Sequence, residues 1–182
     1  MRLGVDMDEV LADTLGKQLR VYNQHFGASL EPEHLNGCEL LHIVPSDQQE
    51  YAAQMMCQPG FFSDLQPMRG ALDAMERLCR FHDVYIVSAA TEFPESFQDK
   101  MRWIERYLPQ IPTRRIVFCG EKSILDLDCL VDDTPSHFEG FRGTGLLFDA
   151  PHNRNEKGFM RVHGWQHAEA EIASLAEACR RQ

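Results

Sequence analysis

The run Gly4-Val5-Asp6-Met7-Asp8-Glu9-Val10 ends a short apolar segment, Leu3-Gly4-Val5, with two aspartates separated by one residue. On an extended strand end, residues i and i+2 point to the same side, so Asp6 and Asp8 can face one ligand together. The spacing alone says little, because the chain has 13 aspartates and Asp126/Asp128 repeats it. Taken by itself, the pair reads as a solvated strand-to-loop turn. Its weight comes from what stands at the ends of the other apolar runs.

Those runs are Val84-Tyr85-Ile86-Val87, Ile116-Val117-Phe118, Leu130-Val131 and Gly145-Leu146-Leu147-Phe148. They are short, mostly rich in β-branched or aromatic residues, and none alternates cleanly. Strands buried on both faces of a parallel sheet have this pattern. Between them, residues 71–78, 98–108 and 165–179 repeat apolar residues at helical spacing. Met101, Ile104 and Leu108 mark one stripe, stopped by Pro109, and Ile172, Leu175 and Ala176 mark another. The alternation predicts an α/β fold with about five parallel strands flanked by helices and joined by right-handed crossovers.

One stretch interrupts the alternation. Residues 23–66 contain no convincing buried strand, only Pro32, Pro45, Pro59 and helix-like pieces such as 47–57. This is too long for a simple crossover. It predicts a small, mainly helical cap inserted after the first strand, with residues 1–22 and 67–182 forming the core. The cap is expected over the C-terminal edge of the sheet, where open α/β sheets place ligands.

At that same edge, Ser88 ends the second run, Lys122 follows the third, and Asp132-Asp133 ends the fourth. Each has a plain reading alone: a helix cap, a surface charge, turn formers. In a parallel sheet all four strand ends open onto one edge, so Asp6, Asp8, Ser88, Lys122, Asp132 and Asp133 are expected to converge.

The 182 residues fit one domain with an insertion. Net charge is −10, and Arg114–Arg115 is the best basic cluster, so no nucleic-acid partner is expected. No apolar run approaches the roughly 18 residues of a membrane span. The N-terminus turns acidic by residue 6 without an apolar signal core, which predicts a cytoplasmic protein. Oligomeric state is left open, a homodimer included. Cys38, Cys57, Cys79, Cys119, Cys129 and Cys179 form no C-x-x-C pair and read as free thiols, with Cys119 and Cys129 buried.

The order of acid pair, hydroxyl, lysine and second acid pair at successive strand ends resembles the haloacid dehalogenase (HAD) phosphatase superfamily. Longer pieces resemble the 5′(3′)-deoxyribonucleotidase family: Pro59-Gly60-Phe61-Phe62-Ser63-Asp64-Leu65-Gln66-Pro67 leading into Gly70-Ala71-Leu72-Asp73-Ala74, then Lys100-Met101-Arg102-Trp103-Ile104-Glu105, and His152-Asn153-Arg154. Glu9 departs from the glycine common at that position. The resemblance implies a Rossmann-like HAD fold and hydrolysis of a small phosphomonoester, a nucleoside monophosphate foremost. Asp6 would be the nucleophile that forms an aspartyl-phosphate, and Asp8 the general acid and base. Mg²⁺ would be held by the Asp6 and Asp133 carboxylates and the Asp8 backbone carbonyl, with Asp132 in support; oxygen donors suit a hard cation. Ser88 and Lys122 would bind the phosphoryl group.

In that family aromatic side chains wrap the base, and their positions correspond here to Thr14, Cys38 and Met56, none of them aromatic. Phe61 and Phe62 read first as core. A phosphatase for another small phosphomonoester, such as a sugar phosphate, therefore stays open. So does a scaffold that binds a phosphorylated ligand without hydrolysing it, although every acid, hydroxyl and lysine position holds a competent residue. His152-Asn153-Arg154 reads as solvated surface or a cap contact.

Overall fold

The computed structural model describes residues 1–180, the Cys179 side chain excepted. Its strands are β1 (Arg2–Val5), β2 (Asp83–Ser88), β3 (Ile116–Phe118), β4 (Cys129–Asp132), β5 (Thr144–Phe148) and β6 (Met160–Val162). Its α-helices are α1 (Thr14–Phe26), α2 (Leu40–Ile43), α3 (Gln49–Gln54), α4 (Ala71–Phe81), α5 (Phe97–Tyr107) and α6 (Trp165–Cys179). The strands form one parallel sheet in the order β3-β2-β1-β4-β5-β6. Leu3, Val5, Val84, Ile86, Val87, Leu130, Val131, Leu146 and Leu147 are all fully buried. Neighbouring residues on a strand face opposite ways, so burial of both explains the unbroken apolar runs.

The strand count is six rather than about five. The additional strand, β6, is three residues long and lies at the sheet edge, with Met160 exposed and only Val162 fully buried. An edge strand covered on one side has no continuous apolar run to betray it. The crossovers after β4 and β5 carry 3-10 turns at Pro135–Phe138 and Pro151–Asn153 and no α-helix.

From β1 the chain runs out to β2 and β3, then crosses back to β4 on the other side of β1. The switch point of the sheet therefore lies between β1 and β4, the two strands that end in Asp6 and in Asp132-Asp133.

No strand lies between β1 and β2 among the described residues; that stretch is helical. Its two ends are clamped together at the sheet. Asp13 N–H donates to the Gln66 carbonyl at 2.8 Å and Met68 N–H donates to the Leu11 carbonyl at 2.8 Å. Helix α1 starts directly above this clamp, where the Asp13 carboxylate caps it by accepting from Gly16 N–H at 2.8 Å. It stops at Gly27, whose φ of 63° suits a residue without Cβ. Phe61 and Phe62 are buried core residues, with the Lys17 and Lys100 ammonium groups lying over their rings.

Cys129 is buried, Cys119 only half-buried because β3 is an edge strand, and Cys38 and Cys57 are exposed. The Cys179 side chain lies outside the described residues. Among the described residues no helix is long and apolar enough to cross a membrane. Asp13→Ala removes the α1 cap and is expected to lower stability by about 1 kcal/mol, read as a drop in the urea midpoint at unchanged slope.

Candidate active site

The strand ends converge as their order predicts. Past the end of β1, Asp6 N–H still donates to the Val131 carbonyl of β4 at 2.9 Å. The chain then curls tightly, with both Leu11 and Ala12 N–H groups donating to the Met7 carbonyl at 2.9 and 2.8 Å. Glu9 sits inside this curl with φ 57°, a left-handed conformation that favours glycine. Its carboxylate accepts from Leu15 N–H at 2.6 Å in the first turn of α1, which ties down the strained residue.

Asp6, Asp132 and Asp133 are all buried, and each offers a carboxylate oxygen within 4.8 Å of the others. Lys122, itself buried, forms ion pairs with Asp6 and Asp132. Burial pushes the Asp6 carboxyl up, and despite the opposing Lys122 charge it stays at about 6. For Asp132 burial also acts upward, but Lys122 and a hydrogen bond with His137 at 2.9 Å prevail and hold it below the usual carboxylate range. Lys122 is desolvated too, yet the two aspartates outweigh that and raise it. Asp133 has no lysine or arginine ion pair among the described residues; beside it stands His152, which burial keeps toward the neutral form. Burial, then the charges of Asp6, Asp132 and Glu9, push Asp133 well above the ordinary range.

A buried group of three carboxylates with one ammonium is short of positive charge, and a hard divalent cation fits that deficit and the oxygen donors. HAD-fold hydrolases generally use Mg²⁺, and this cluster matches that need.

Asp8 lies nearer the solvent and is held by two groups. Lys100, buried on α5, forms an ion pair with one carboxylate oxygen, and Thr14 donates its hydroxyl to the other at 2.9 Å. Lys100 also donates to Ser88 Oγ at 3.0 Å, so the second strand end joins the site through this lysine. Lys100 was not singled out as a site residue from sequence. Its signal is a lysine three and four residues before Trp103 and Ile104, on the stripe α5 buries.

Above Asp8 and Asp133 opens a cavity of about 380 Å³, also lined by Thr14, Leu35, Met56, Phe93 and His152. Met56 is placed where the sequence reading puts a base contact. Thr14 reaches the cavity, but its hydroxyl engages Asp8. Cys38 does not line this cavity; it is exposed beside the adjoining one. The aromatic ring that does face the space is Phe93, which tilts against Phe62 at 5.9 Å. Its place just beyond the second strand end is the signal that could have found it. His152 and Asn153 are not solvated surface: Asn153 is buried, and His152 Nε2 lies 3.3 Å from the Asp133 carboxylate.

Fold and acid cluster together define a HAD-type α/β hydrolase. Among solved structures, a haloacid dehalogenase-like protein of unknown function from Agrobacterium tumefaciens superposes with a TM-score of 0.62 at 16% identity, covering 96% of this chain and 98% of that one. A haloacid dehalogenase-like hydrolase from Xanthomonas campestris gives 0.53 at 11%, covering 100% and 98%. Such identities speak for the fold alone. The family model described as 5′ nucleotidase, deoxy (pyrimidine), cytosolic type C protein matches residues 1–178, and the chain belongs to that family. A relative from Staphylococcus epidermidis, named a candidate 5′(3′)-deoxyribonucleotidase, is 40% identical over 165 residues, 91% of this chain and 92% of its own. One from Bacillus subtilis, named 5′(3′)-deoxyribonucleotidase, is 32% identical over 170 residues, 93% and 97%.

The buried acids make metal-free stability depend on pH in an unusual direction. Burial holds Glu9 at about 8, Asp6 at about 6 and Asp133 well up, so the folded protein keeps protons that the unfolded chain releases near pH 4. The folded state binds more protons across that window, and stability is expected to fall as pH rises from about 4 to about 8. Urea unfolding in chelator at several pH values checks this. Adding Mg²⁺ is expected to flatten the slope.

Proposed function

We propose that this protein is a Mg²⁺-dependent phosphomonoester hydrolase that releases phosphate from a nucleoside monophosphate, a deoxyribonucleotide foremost, through an aspartyl-phosphate on Asp6. The observation that carries this reading is the buried Asp6–Lys122–Asp132 arrangement, joined through Asp133 to a cavity that Asp133 and Asp8 both line. Family membership supports the nucleotide, and the apolar lining of the cavity by Leu35, Leu40, Ala52 and Met56 favours a base-bearing substrate over a bare sugar phosphate. The net charge of −10 speaks for free nucleotides rather than nucleic acid. The family description, cytosolic, supports a cytoplasmic setting.

The residues divide the work as follows. Lys122 favours the ionised form of Asp6, and the Asp6 carboxylate attacks phosphorus. Asp8, oriented by Lys100 and Thr14, gives a proton to the departing alcohol. It then takes one from the water that cleaves the aspartyl-phosphate and restores Asp6. Ser88 and Lys122 hold the phosphoryl oxygens. Asp6, Asp133 and the Asp8 backbone carbonyl would hold Mg²⁺, with Asp132 in support through Lys122. When bound there, the cation would supply the positive charge that screens the anionic phosphate from the attacking carboxylate. The helical insertion, residues 23–66 with α1 as its stem, acts as a cap that excludes water and selects the leaving group.

A phosphate-release screen over deoxyribonucleoside, ribonucleoside and sugar monophosphates tests the assignment. Activity is expected with Mg²⁺ and none in excess chelator; full activity in chelator would remove the metal from the reading. Asp6→Asn is expected to abolish phosphoenzyme, and Asp8→Asn to lower kcat by roughly 10²–10⁴. Met56→Tyr adds a stacking face inside the cavity and is expected to raise kcat/KM for a pyrimidine deoxynucleotide about fivefold, some ~1 kcal/mol, without altering turnover of a small aryl phosphate. Cys38→Tyr, placed outside that cavity, is expected to leave both substrates unchanged. Equal gains for both substrates in Met56→Tyr would show that position 56 does not face the base.

A further inference from the structure

Among the features the proposed chemistry leaves unused, the loop His152-Asn153-Arg154 makes the densest set of buried polar contacts. Asn153 is 1% exposed, and its amide is fully engaged. Nδ2 donates to the Asp133 carbonyl at 2.7 Å and to the Phe148 carbonyl at 2.8 Å. Oδ1 accepts from Ala150 N–H at 3.2 Å and from the Arg161 guanidinium at 2.6 Å. Both partners of the nitrogen are acceptors and both partners of the oxygen are donors, so the amide has one satisfactory orientation. Arg161 comes from β6, where it is anchored on Asp149 at 2.7 Å and on the Asn153 and Glu156 carbonyls at 2.8 and 3.0 Å.

The placement of this network answers a difficulty of the site. Asp133 is packed against two other buried carboxylates; Lys122 pairs with both of those, whereas among the described residues the ion-pair partner of Asp133 is His152, whose Nε2 lies 3.3 Å away and which burial keeps toward the neutral form. The Asp133 side chain thus lacks the lysine that fixes its two neighbours. A backbone clamped at the Asp133 carbonyl and stitched to the end of β5 fixes the direction from which that side chain enters the cluster. We propose that Asn153, braced by Arg161, is a positioning residue that keeps Asp133 aimed into the acid cluster and so preorganises the cation site. This rests on the Mg²⁺ role proposed above for Asp6 and Asp133. The edge strand β6 thereby has a function: it supplies the arginine that orients the amide.

The test is direct Mg²⁺ binding by calorimetry on metal-free protein, with kcat measured beside it. Asn153→Ala is expected to raise the Mg²⁺ dissociation constant about tenfold, while kcat at saturating Mg²⁺ stays within about twofold of the parent. Arg161→Met, which keeps the aliphatic stem and loses the guanidinium, is expected to shift the constant in the same direction by a smaller factor. A folded Asn153→Ala protein with the parent's Mg²⁺ affinity overturns the proposal, as does one whose kcat falls at saturating Mg²⁺ with affinity unchanged. If Asn153→Ala does not fold, Arg161→Met decides alone: unchanged affinity overturns the proposal. A parent protein that binds no Mg²⁺ overturns the metal reading itself, an outcome seen without reference to any variant.

Discussion

Three carboxylates, those of Asp6, Asp132 and Asp133, come within 4.8 Å of one another in a largely desolvated place. Uncompensated, so much like charge in a desolvated site would be prohibitive. Lys122 answers part of it by bridging Asp6 and Asp132, and Lys100 answers the separate charge of Asp8. Both lysines are buried, and each arrives from a segment that follows a strand on the far side of β1 from β4. The remaining deficit at Asp133 leaves the cluster short of positive charge, a balance that suits a cation. The charge balance thus links stability and function: the groups that burden the metal-free fold are those that would bind metal and attack phosphate.

The framework that holds this charge is rigid where it needs to be. β1 and β4 are the central strands, paired on both sides, so their ends are the best-anchored points of the sheet. Two indoles secure the loops around them. Trp165 at the start of α6 donates to the Val10 carbonyl at 2.8 Å, just beyond the acid pair, and Trp103 of α5 donates to the Leu65 carbonyl at 2.8 Å, where the insertion returns. Asp13 and Met68 close the base of the insertion, and its far side is tied to the loop after β5, where Gly37 N–H donates to the Pro151 carbonyl at 2.9 Å and Asn155 donates to the Asn36 carbonyl at 3.0 Å.

The acid cluster and the apolar lining of the cavity come from different parts of the chain. The charged groups come from strand ends and their flanking turns, whereas Leu35, Leu40, Ala52 and Met56 come from the inserted helices and the turns between them. Thr14 joins the two, standing first in α1 and donating its hydroxyl to Asp8. Phe93 joins them differently, reaching into the cavity from the loop after β2 while packing on Phe62 of the insertion. A change in the helices can therefore reshape the cavity without disturbing Asp6 or Lys122.

The sequence by itself determined five of the six strands, the main helices, the helical interruption and the convergence of Asp6, Asp8, Ser88, Lys122, Asp132 and Asp133. Burial on both faces leaves an apolar run that local pattern reports, and strand order in a parallel sheet places the following polar residues on one edge. What only the tertiary structure decided depends on partners far apart in the chain. Lys100 reads as one lysine on an amphipathic helix until packing of α5 places it against Asp8, 92 residues away. Asn153 reads as a polar loop residue until β6, too short and too exposed to register as a strand, supplies Arg161 to orient it. Thr14 and Cys38 read alike in the sequence, yet one donates its hydroxyl to Asp8 and the other faces a neighbouring cavity. Local pattern records how deeply a residue is buried; which group it meets there is set by how the elements pack.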